Sequence, residues 1–120
     1  MEKPDITWKL FGIYMLVILL VMIASTAKGQ IKVIQFNAEW NKANEAPWVT
    51  KLEDCQTVSY VDIGTNKEAQ AKYKIAVIPT ILIFKDGEEV VRFQADLSFK
   101  MVATREEVQE EINNQLMSDF

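Results

Sequence analysis

The chain has 120 residues, of which 49% are hydrophobic and 25% are charged, which is ordinary for one small globular domain. Its formal net charge is −4 and its lysines and arginines form no stripe, so nucleic acid is not an expected partner. Histidine is absent and cysteine occurs once, which removes the commonest metal ligand and any internal disulfide. We therefore expect neither a metal ion nor a cofactor.

The chain begins with a strongly apolar segment. Residues 10–27 carry no charged side chain, and as a helix they would be about 27 Å long, close to the thickness of a bilayer core. Trp8 and the flanking charges of Lys9 and Lys28 favour a retained membrane anchor. The small residues of Ser25–Ala27 favour a cleavable signal peptide, and a buried core element is a third interpretation.

The first two interpretations divide the chain at the same place. Residues 1–27 form a signal anchor or signal peptide, and residues 28–120 form the folded domain. An apolar N-terminal segment that precedes a compact domain usually exports that domain. We therefore expect a domain anchored in a membrane through residues 10–27 and exported to a periplasmic or extracytoplasmic space, or secreted if the segment is cleaved.

The next segment predicts two parallel strands joined by a helix. Ile31–Asn37 is an almost continuous apolar run, typical of a central strand buried on both faces. Asn44–Asp54 is predicted to be a short helix with Pro47 in its first turn, where a missing amide donor costs little. Thr57–Ile63 is predicted to be the next strand, parallel to the first because a helical crossover joins them.

The following segment predicts a second helix and a hairpin. Asn66–Tyr73 has the pattern of a short helix, and Ile81–Phe84 is an apolar strand. Asp86-Gly87 lies between two apolar runs and is a strong hairpin signal, so Glu89–Phe93 should return antiparallel. Phe99–Val102 fits either a loop or a short strand extension.

A capping signal opens the last predicted helix. Thr104 and Glu107 have the spacing of a capping box, in which each side chain bonds to the other residue's backbone amide. Val108, Ile112 and Leu116 then recur every four residues, which places them on one face of a helix. We expect this face to pack on the sheet.

Two motifs resemble a known family. Ile31–Trp40 is a buried strand that runs into a turn ending in tryptophan, and Ile75–Val90 contains Ile78-Pro79-Thr80 before a strand and a hairpin. Over roughly residues 31–117 the chain resembles the thioredoxin family. The resemblance implies an α/β, three-layer thioredoxin-like fold with a mixed parallel and antiparallel sheet, in a minimal version that follows an N-terminal hydrophobic helix. It also implies a cis proline whose preceding backbone binds extended peptides.

Two departures from the family affect its chemistry. Where thioredoxins carry Cys-Gly-Pro-Cys, this chain has Asn41-Lys42-Ala43-Asn44, and Gln35 stands where thioredoxins usually have a buried aspartate that accepts a proton. Thiol-disulfide exchange requires a thiolate that attacks and a second thiol that resolves the mixed disulfide. The sequence therefore predicts a redox-inactive domain.

The resemblance also suggests a binding surface. Trp40 is either a partner contact or an aromatic that packs the loop, and Trp48 is either a second exposed aromatic or a core residue. Asn44 is either a partner contact or the N-cap of the first helix. The predicted binding residues are Trp40, Asn41, Asn44, Trp48, Ile78, Pro79 and Thr80.

Cys55 supports a competing interpretation. It is a buried small hydrophobe, the site of an intermolecular disulfide, or a catalytic monothiol, although Glu53 and Asp54 would raise its pKa. The sequence favours a polypeptide-binding module or a subunit of a larger assembly, such as a membrane or phage assembly. The alternative is a monothiol oxidoreductase that uses Cys55, or an accessory subunit of an oxidoreductase.

Overall fold

The computed structural model describes residues 29–118. Its strands are β1 (Ile31–Asn37), β2 (Thr57–Asp62), β3 (Thr80–Lys85) and β4 (Glu88–Gln94). Its helices are a first 3₁₀ helix (Glu39–Asn44), a second 3₁₀ helix (Pro47–Lys51), α1 (Lys67–Lys72) and α2 (Arg105–Met117).

The strands form one mixed sheet in the order β2-β1-β3-β4. β2 is parallel to β1, with Asp62 opposite Asn37. β3 is antiparallel to β1 and to β4. The predicted mixed α/β sheet is confirmed, as are the parallel pair and the antiparallel hairpin.

Helices cover both faces of this sheet. Successive side chains of a strand point to opposite faces, so β1 contributes to two separate cores. On one face Val33 belongs to a cluster with Val49 of the second 3₁₀ helix and Ile112 of α2. On the other face Phe36 packs with Tyr73 at the end of α1, their ring centroids 5.3 Å apart. The fold therefore has three layers, as predicted.

The capping box of α2 forms as the sequence predicts. The Glu107 amide donates to Thr104 Oγ1 at 3.2 Å, and the Thr104 amide donates to Glu107 Oε1 at 3.3 Å. Val108 and Ile112 are fully buried, and Leu116 packs against the same cluster. The four-residue spacing therefore identified the face that meets the sheet.

The predicted helix over Asn44–Asp54 is wrong. The chain forms two short 3₁₀ helices, separated by an extended Ala46 with φ −90° and ψ 94°. Pro47 is the first residue of the second helix, as expected, but a proline disfavours helical backbone at the residue before it. Asn44 is consequently the last residue of the first 3₁₀ helix and is not an N-cap.

The turn between β3 and β4 forms at the predicted dipeptide. Asp86 and Gly87 both have positive φ, at 52° and 89°, which is the conformation that a two-residue type I′ hairpin requires. The Asp86 carboxylate also accepts hydrogen bonds from the amides of Gly29 and Gln30. The turn thereby fastens the start of the described chain to the end of the hairpin.

The predicted anchor or signal segment lies outside the described residues. Within residues 29–118, none of the helices combines the length and the apolar character needed to cross a membrane.

Candidate functional site

The candidate site lies where β1 ends. Asn37 is the last residue of β1 and is fully buried, and the first 3₁₀ helix follows it after a single residue. β3 begins nearby, since Phe36 is paired with Thr80. The end of β4 is joined to the same region by the Ala95 amide, which donates to the carbonyl of Pro79 at 3.0 Å.

Three asparagine side chains form a hydrogen-bonded cluster, and two of them, Asn41 and Asn44, stand where thioredoxins carry the cysteines of their redox motif. Asn44 Nδ2 donates to Asn41 Oδ1 at 2.8 Å, and Asn41 Nδ2 donates to Asn37 Oδ1 at 3.0 Å. Asn37 Nδ2 returns a bond to the Asn41 carbonyl at 3.2 Å. Asn41 is only 4% exposed, so its amide groups are committed to these internal bonds.

An exposed aromatic pair lies on the surface beside this cluster. Asn41 Nδ2 also donates to the carbonyl of Phe99 at 3.1 Å, which brings a distant loop to the first 3₁₀ helix. The rings of Trp40 and Phe99 meet edge to face, with centroids 5.2 Å apart and an interplanar angle of 87°. Trp40 is 68% exposed and Phe99 is 41% exposed. The pair is therefore open to a partner.

The loop that carries Phe99 is organised by one carboxylate. Asp96 Oδ1 accepts hydrogen bonds from the Ser98 hydroxyl at 2.6 Å, the Ser98 amide at 2.9 Å and the Lys100 amide at 3.2 Å. The Ser98 hydroxyl, followed by the Lys100 amide, lowers the pKa of Asp96. Leu97, in the same loop, is apolar and 92% exposed. The carboxylate form of Asp96 therefore holds the loop in shape.

The proline motif is largely internal. The Ile78–Pro79 peptide bond is cis, and the side chains of Ile78, Pro79 and Thr80 are all buried. Thr80 Oγ1 donates to the carbonyl of Val77 at 2.6 Å. The three residues are thus internal, and the Pro79 carbonyl is already bonded to the Ala95 amide.

Gln35 has a structural role in place of the proton acceptor found in the resembled family. Its Nε2 donates to the Ala46 carbonyl at 3.1 Å, and the Ala46 amide donates to its Oε1 at 2.8 Å. Gln35 is buried and thus ties β1 to the extended residue between the two 3₁₀ helices. A carboxylate could accept the second bond but could not donate the first.

Trp48 is separate from the exposed aromatic pair. It is half-buried and packs against the core cluster that contains Val49 and Ile112, whereas the ring partner of Trp40 is Phe99. Of the two interpretations of Trp48, the structure agrees with the core residue.

Cys55 lies at the other end of β1. It comes just before β2, where the Gln56 amide donates to the carbonyl of Ile31 at the start of β1. Trp40 follows the opposite end of this strand, which makes the separation on the order of 20 Å. The thiol is half-buried, and its pKa is raised. Burial is the largest cause and the charge of Asp54 adds to it, while a backbone hydrogen bond partly offsets them. Neither its position nor its protonation suits a nucleophile at the proline motif.

Sequence reasoning missed Phe99 as a site residue. Phe99 lies in the segment for which the sequence predicts either a loop or a short strand. It is brought to Trp40 by the hydrogen bond from Asn41 to the Phe99 carbonyl, and these two residues are 58 positions apart in the chain. Its positive φ of 65° gave no sequence signal either, because non-glycine residues rarely adopt it. Asn37 was detectable as a polar residue that ends an apolar strand four positions before Asn41.

The family model and the similar proteins found by comparison all point to the same family. The thioredoxin family model matches residues 22–114. The chain is 32% identical to a Chlamydia pneumoniae thioredoxin over 71 residues, covering 49% of this chain and 63% of that protein. It is 42% identical to a Mycobacterium tuberculosis thioredoxin over 36 residues, covering 30% of this chain and 31% of that protein. The matches thus span less than two thirds of these relatives' length.

Solved structures show the same fold. A Fasciola hepatica thioredoxin matches with a TM-score of 0.56 and 29% identity, covering 81% of this chain and 90% of that chain. A mutant thioredoxin from Halobacterium salinarum matches with a TM-score of 0.59 and 18% identity, covering 72% of this chain and 75% of that chain. The second likeness concerns the fold alone.

Proposed function

Because this chain belongs to the thioredoxin family, we propose that its domain binds an extended polypeptide, or a protein in a larger assembly, without thiol chemistry. The observation that carries this proposal is the bond between Asn44 and Asn41 at the positions of the family's two cysteines. An amide can neither attack a disulfide nor resolve a mixed disulfide. The scaffold keeps its shape there through hydrogen bonds.

The position of Cys55 argues against the monothiol alternative. A working thiol must be accessible, must have a lowered pKa and must lie beside the bound substrate. Cys55 is half-buried, its pKa is raised, and it lies at the opposite end of β1 from Trp40. A binding role therefore agrees better with the geometry than an enzymatic one.

The binding role is assigned to the aromatic pair. Exposed tryptophan and phenylalanine provide large apolar contact areas at low entropic cost, and such residues dominate the binding energy of many interfaces. Trp40 and Phe99 meet edge to face, and Leu97 adds apolar surface in the same loop. The side chain of Asn41 holds the loop against the first 3₁₀ helix by donating a hydrogen bond to the Phe99 carbonyl.

We further propose that the domain acts at a membrane or after export. The support is in the sequence, where residues 10–27 carry no charge over the length of a bilayer core. A tether would raise the local concentration of the domain near a membrane-associated partner.

An insulin-reduction assay with the full chain tests the absence of thiol chemistry. We expect no turnover above the reductant alone, while a dithiol thioredoxin assayed in parallel precipitates insulin. Turnover close to that of the thioredoxin would contradict the proposal. Any weaker turnover that disappears in Cys55→Ser would support the monothiol alternative.

A titration with carboxymethylated insulin B chain, an unfolded polypeptide without free thiols, tests binding. Trp40→Ala should weaken the binding by about 2 kcal/mol, as truncation of an aromatic anchor does. Met117→Ala is the matched control, because Met117 is an equally exposed apolar residue on α2. Equal losses in both variants would show non-specific adhesion and would overturn the assignment to Trp40.

A further inference from the structure

The outer side of β2 is a free sheet edge in the described part of the chain. β2 ends the strand order, and no other strand of residues 29–118 lies beside it. The register with β1 and the bond from the Ile63 amide to the Asn37 carbonyl show that alternate residues of β2 bond to β1. The amide and carbonyl groups of Val58 and Tyr60 therefore point outward, where they can bond to an added strand.

The side chains of β2 do not protect this edge. In natural proteins, lysine, proline or a bulge usually prevents an edge strand from pairing with another chain. β2 has none of these, and its one charged residue, Asp62, is at its end. Val58 is 36% exposed and Tyr60 is 45% exposed. The strand thus combines free backbone groups with exposed apolar surface.

A groove lies against the same edge. Val58 and Tyr60 line a groove of about 410 Å³, together with Pro47 and Thr50 of the second 3₁₀ helix. Successive side chains of a strand alternate between faces, so every second side chain of an added strand would lie over this groove.

The charge of the groove selects the kind of strand that fits it. Glu39 and Glu45 line it with Lys42 as the single cation of its wall. The carboxylates of Glu39, Glu45 and Asp62 all act on Tyr60 and outnumber this one cation, so the potential at this edge is negative. A second copy of the chain would bring the same carboxylates to the edge and be repelled, whereas a cationic strand would be attracted.

We propose that β2 is a docking edge for an extended basic segment of a partner protein, which adds a strand to the sheet beside Val58 and Tyr60. The lysine or arginine side chains of this segment lie over the groove near Glu39 and Glu45, and its backbone bonds to the outward groups of β2. This proposal does not rest on the Trp40 and Phe99 surface, since neither residue lines the groove.

The test uses the full 120-residue chain in mild detergent and a fluorescent peptide of about six residues, the usual strand length, that alternates valine and lysine. We expect saturable binding by fluorescence anisotropy. Replacing lysine by glutamate in the peptide, or methylating its backbone amides along one edge, should weaken binding about tenfold or more.

Variants locate the binding on β2. Tyr60→Lys places a cation on the edge and should weaken peptide binding about tenfold, while Val90→Lys is its control on the opposite edge strand β4. Val90 has similar exposure to Tyr60, at 38%. Glu45→Gln should weaken binding and reduce its dependence on salt without altering the edge itself. Met117→Ala, at an exposed apolar position of α2, should leave the peptide affinity unchanged.

Several outcomes would overturn the proposal. No binding by the full chain would mean that the edge is closed, for example by its own N-terminal residues. Equal losses for Tyr60→Lys and Val90→Lys, or equal binding of the methylated peptide, would mean that the attraction is charge alone. A dimer that Tyr60→Lys dissociates in analytical ultracentrifugation would identify a second copy as the occupant.

Discussion

The side-chain amide of Asn44 donates a 2.8 Å hydrogen bond to the side-chain oxygen of Asn41, at the two positions where thioredoxins carry cysteines. Asn41 Nδ2 in turn donates to Asn37 Oδ1 and to the carbonyl of Phe99. These bonds connect the first 3₁₀ helix to the end of β1 and to the loop after β4. Unlike a disulfide, this connection is insensitive to reductants.

Loss of the central amide should destabilise the domain. Asn41→Ala leaves the buried side-chain oxygen of Asn37 without its donor, which should cost about 1–3 kcal/mol of unfolding free energy. Urea denaturation measures the change. Asn114→Ala is the control, because Asn114 is exposed on α2, and it should change stability by less than about 0.5 kcal/mol. A neutral Asn41→Ala would mean that the cluster contributes nothing to the fold.

The clamp between Gln35 and Ala46 should contribute a similar amount. Gln35→Leu fills the space but leaves the buried amide of Ala46 without its acceptor, while the Ala46 carbonyl keeps only the Val49 amide as a donor. We therefore expect a loss of about 1–3 kcal/mol. Gln94→Leu, at an exposed position of β4, is the matched substitution and should be nearly neutral. Equal midpoints for the two variants in urea would contradict the role given to Gln35.

Local signals predicted most of the fold. Thr104 and Glu107 define a helix start within four residues, and Asp86-Gly87 defines a hairpin by its backbone preference alone. The apolar run of β1 likewise identified the central strand. In each case the sequence pattern and the physical cause lie in the same short segment, so no distant contact was needed.

The site could be predicted only in part, because its geometry depends on distant contacts. Trp40 was recognisable from the family motif, but Phe99 reaches it only through a bond from Asn41 to a residue far along the chain. The helix predicted over Asn44–Asp54 failed for two reasons. Pro47 disfavours helical backbone at Ala46, which is a local signal, and Gln35 holds Ala46 extended through a bond from another strand that no local pattern reveals.

The loop around Phe99 should respond to acid. The hydroxyl of Ser98 and the amide of Lys100 lower the pKa of Asp96, so the folded loop favours the carboxylate. The stabilisation is therefore complete above the ordinary aspartate pKa of about 4. It is lost as the pH falls below that value and through the lowered pKa that Asp96 has in the folded loop.

The indole N–H resonance of Trp40, assigned with Trp40→Phe, reports this change because Trp40 packs on Phe99. We expect it to shift in acid in the native chain and to lose that pH dependence in Asp96→Asn. An unchanged titration in Asp96→Asn would show that another group controls the loop.

The N-terminal segment should hold the protein in a membrane. Residues 10–27 are uncharged, so we expect the full chain to remain in the membrane fraction after alkaline carbonate washing, which releases peripheral proteins. Leu19→Arg, which places a charge in the middle of the segment, should release it or prevent insertion. Mass spectrometry that finds Lys28 as the first residue would instead show a cleaved signal peptide.

The reactivity of Cys55 separates a structural thiol from a catalytic one. Thiolate is the form that alkylating agents attack, and burial raises the pKa of Cys55, so little thiolate is present near neutral pH. Iodoacetamide should modify the native chain more slowly than it modifies glutathione, and the rate should rise with pH and after unfolding in urea. Cys55→Ser should leave both the peptide affinity and the unfolding midpoint nearly unchanged. A native thiol that reacts faster than glutathione at pH 7 would contradict this reading, because only a lowered pKa or an activating neighbour produces that rate, and the monothiol alternative would then be favoured.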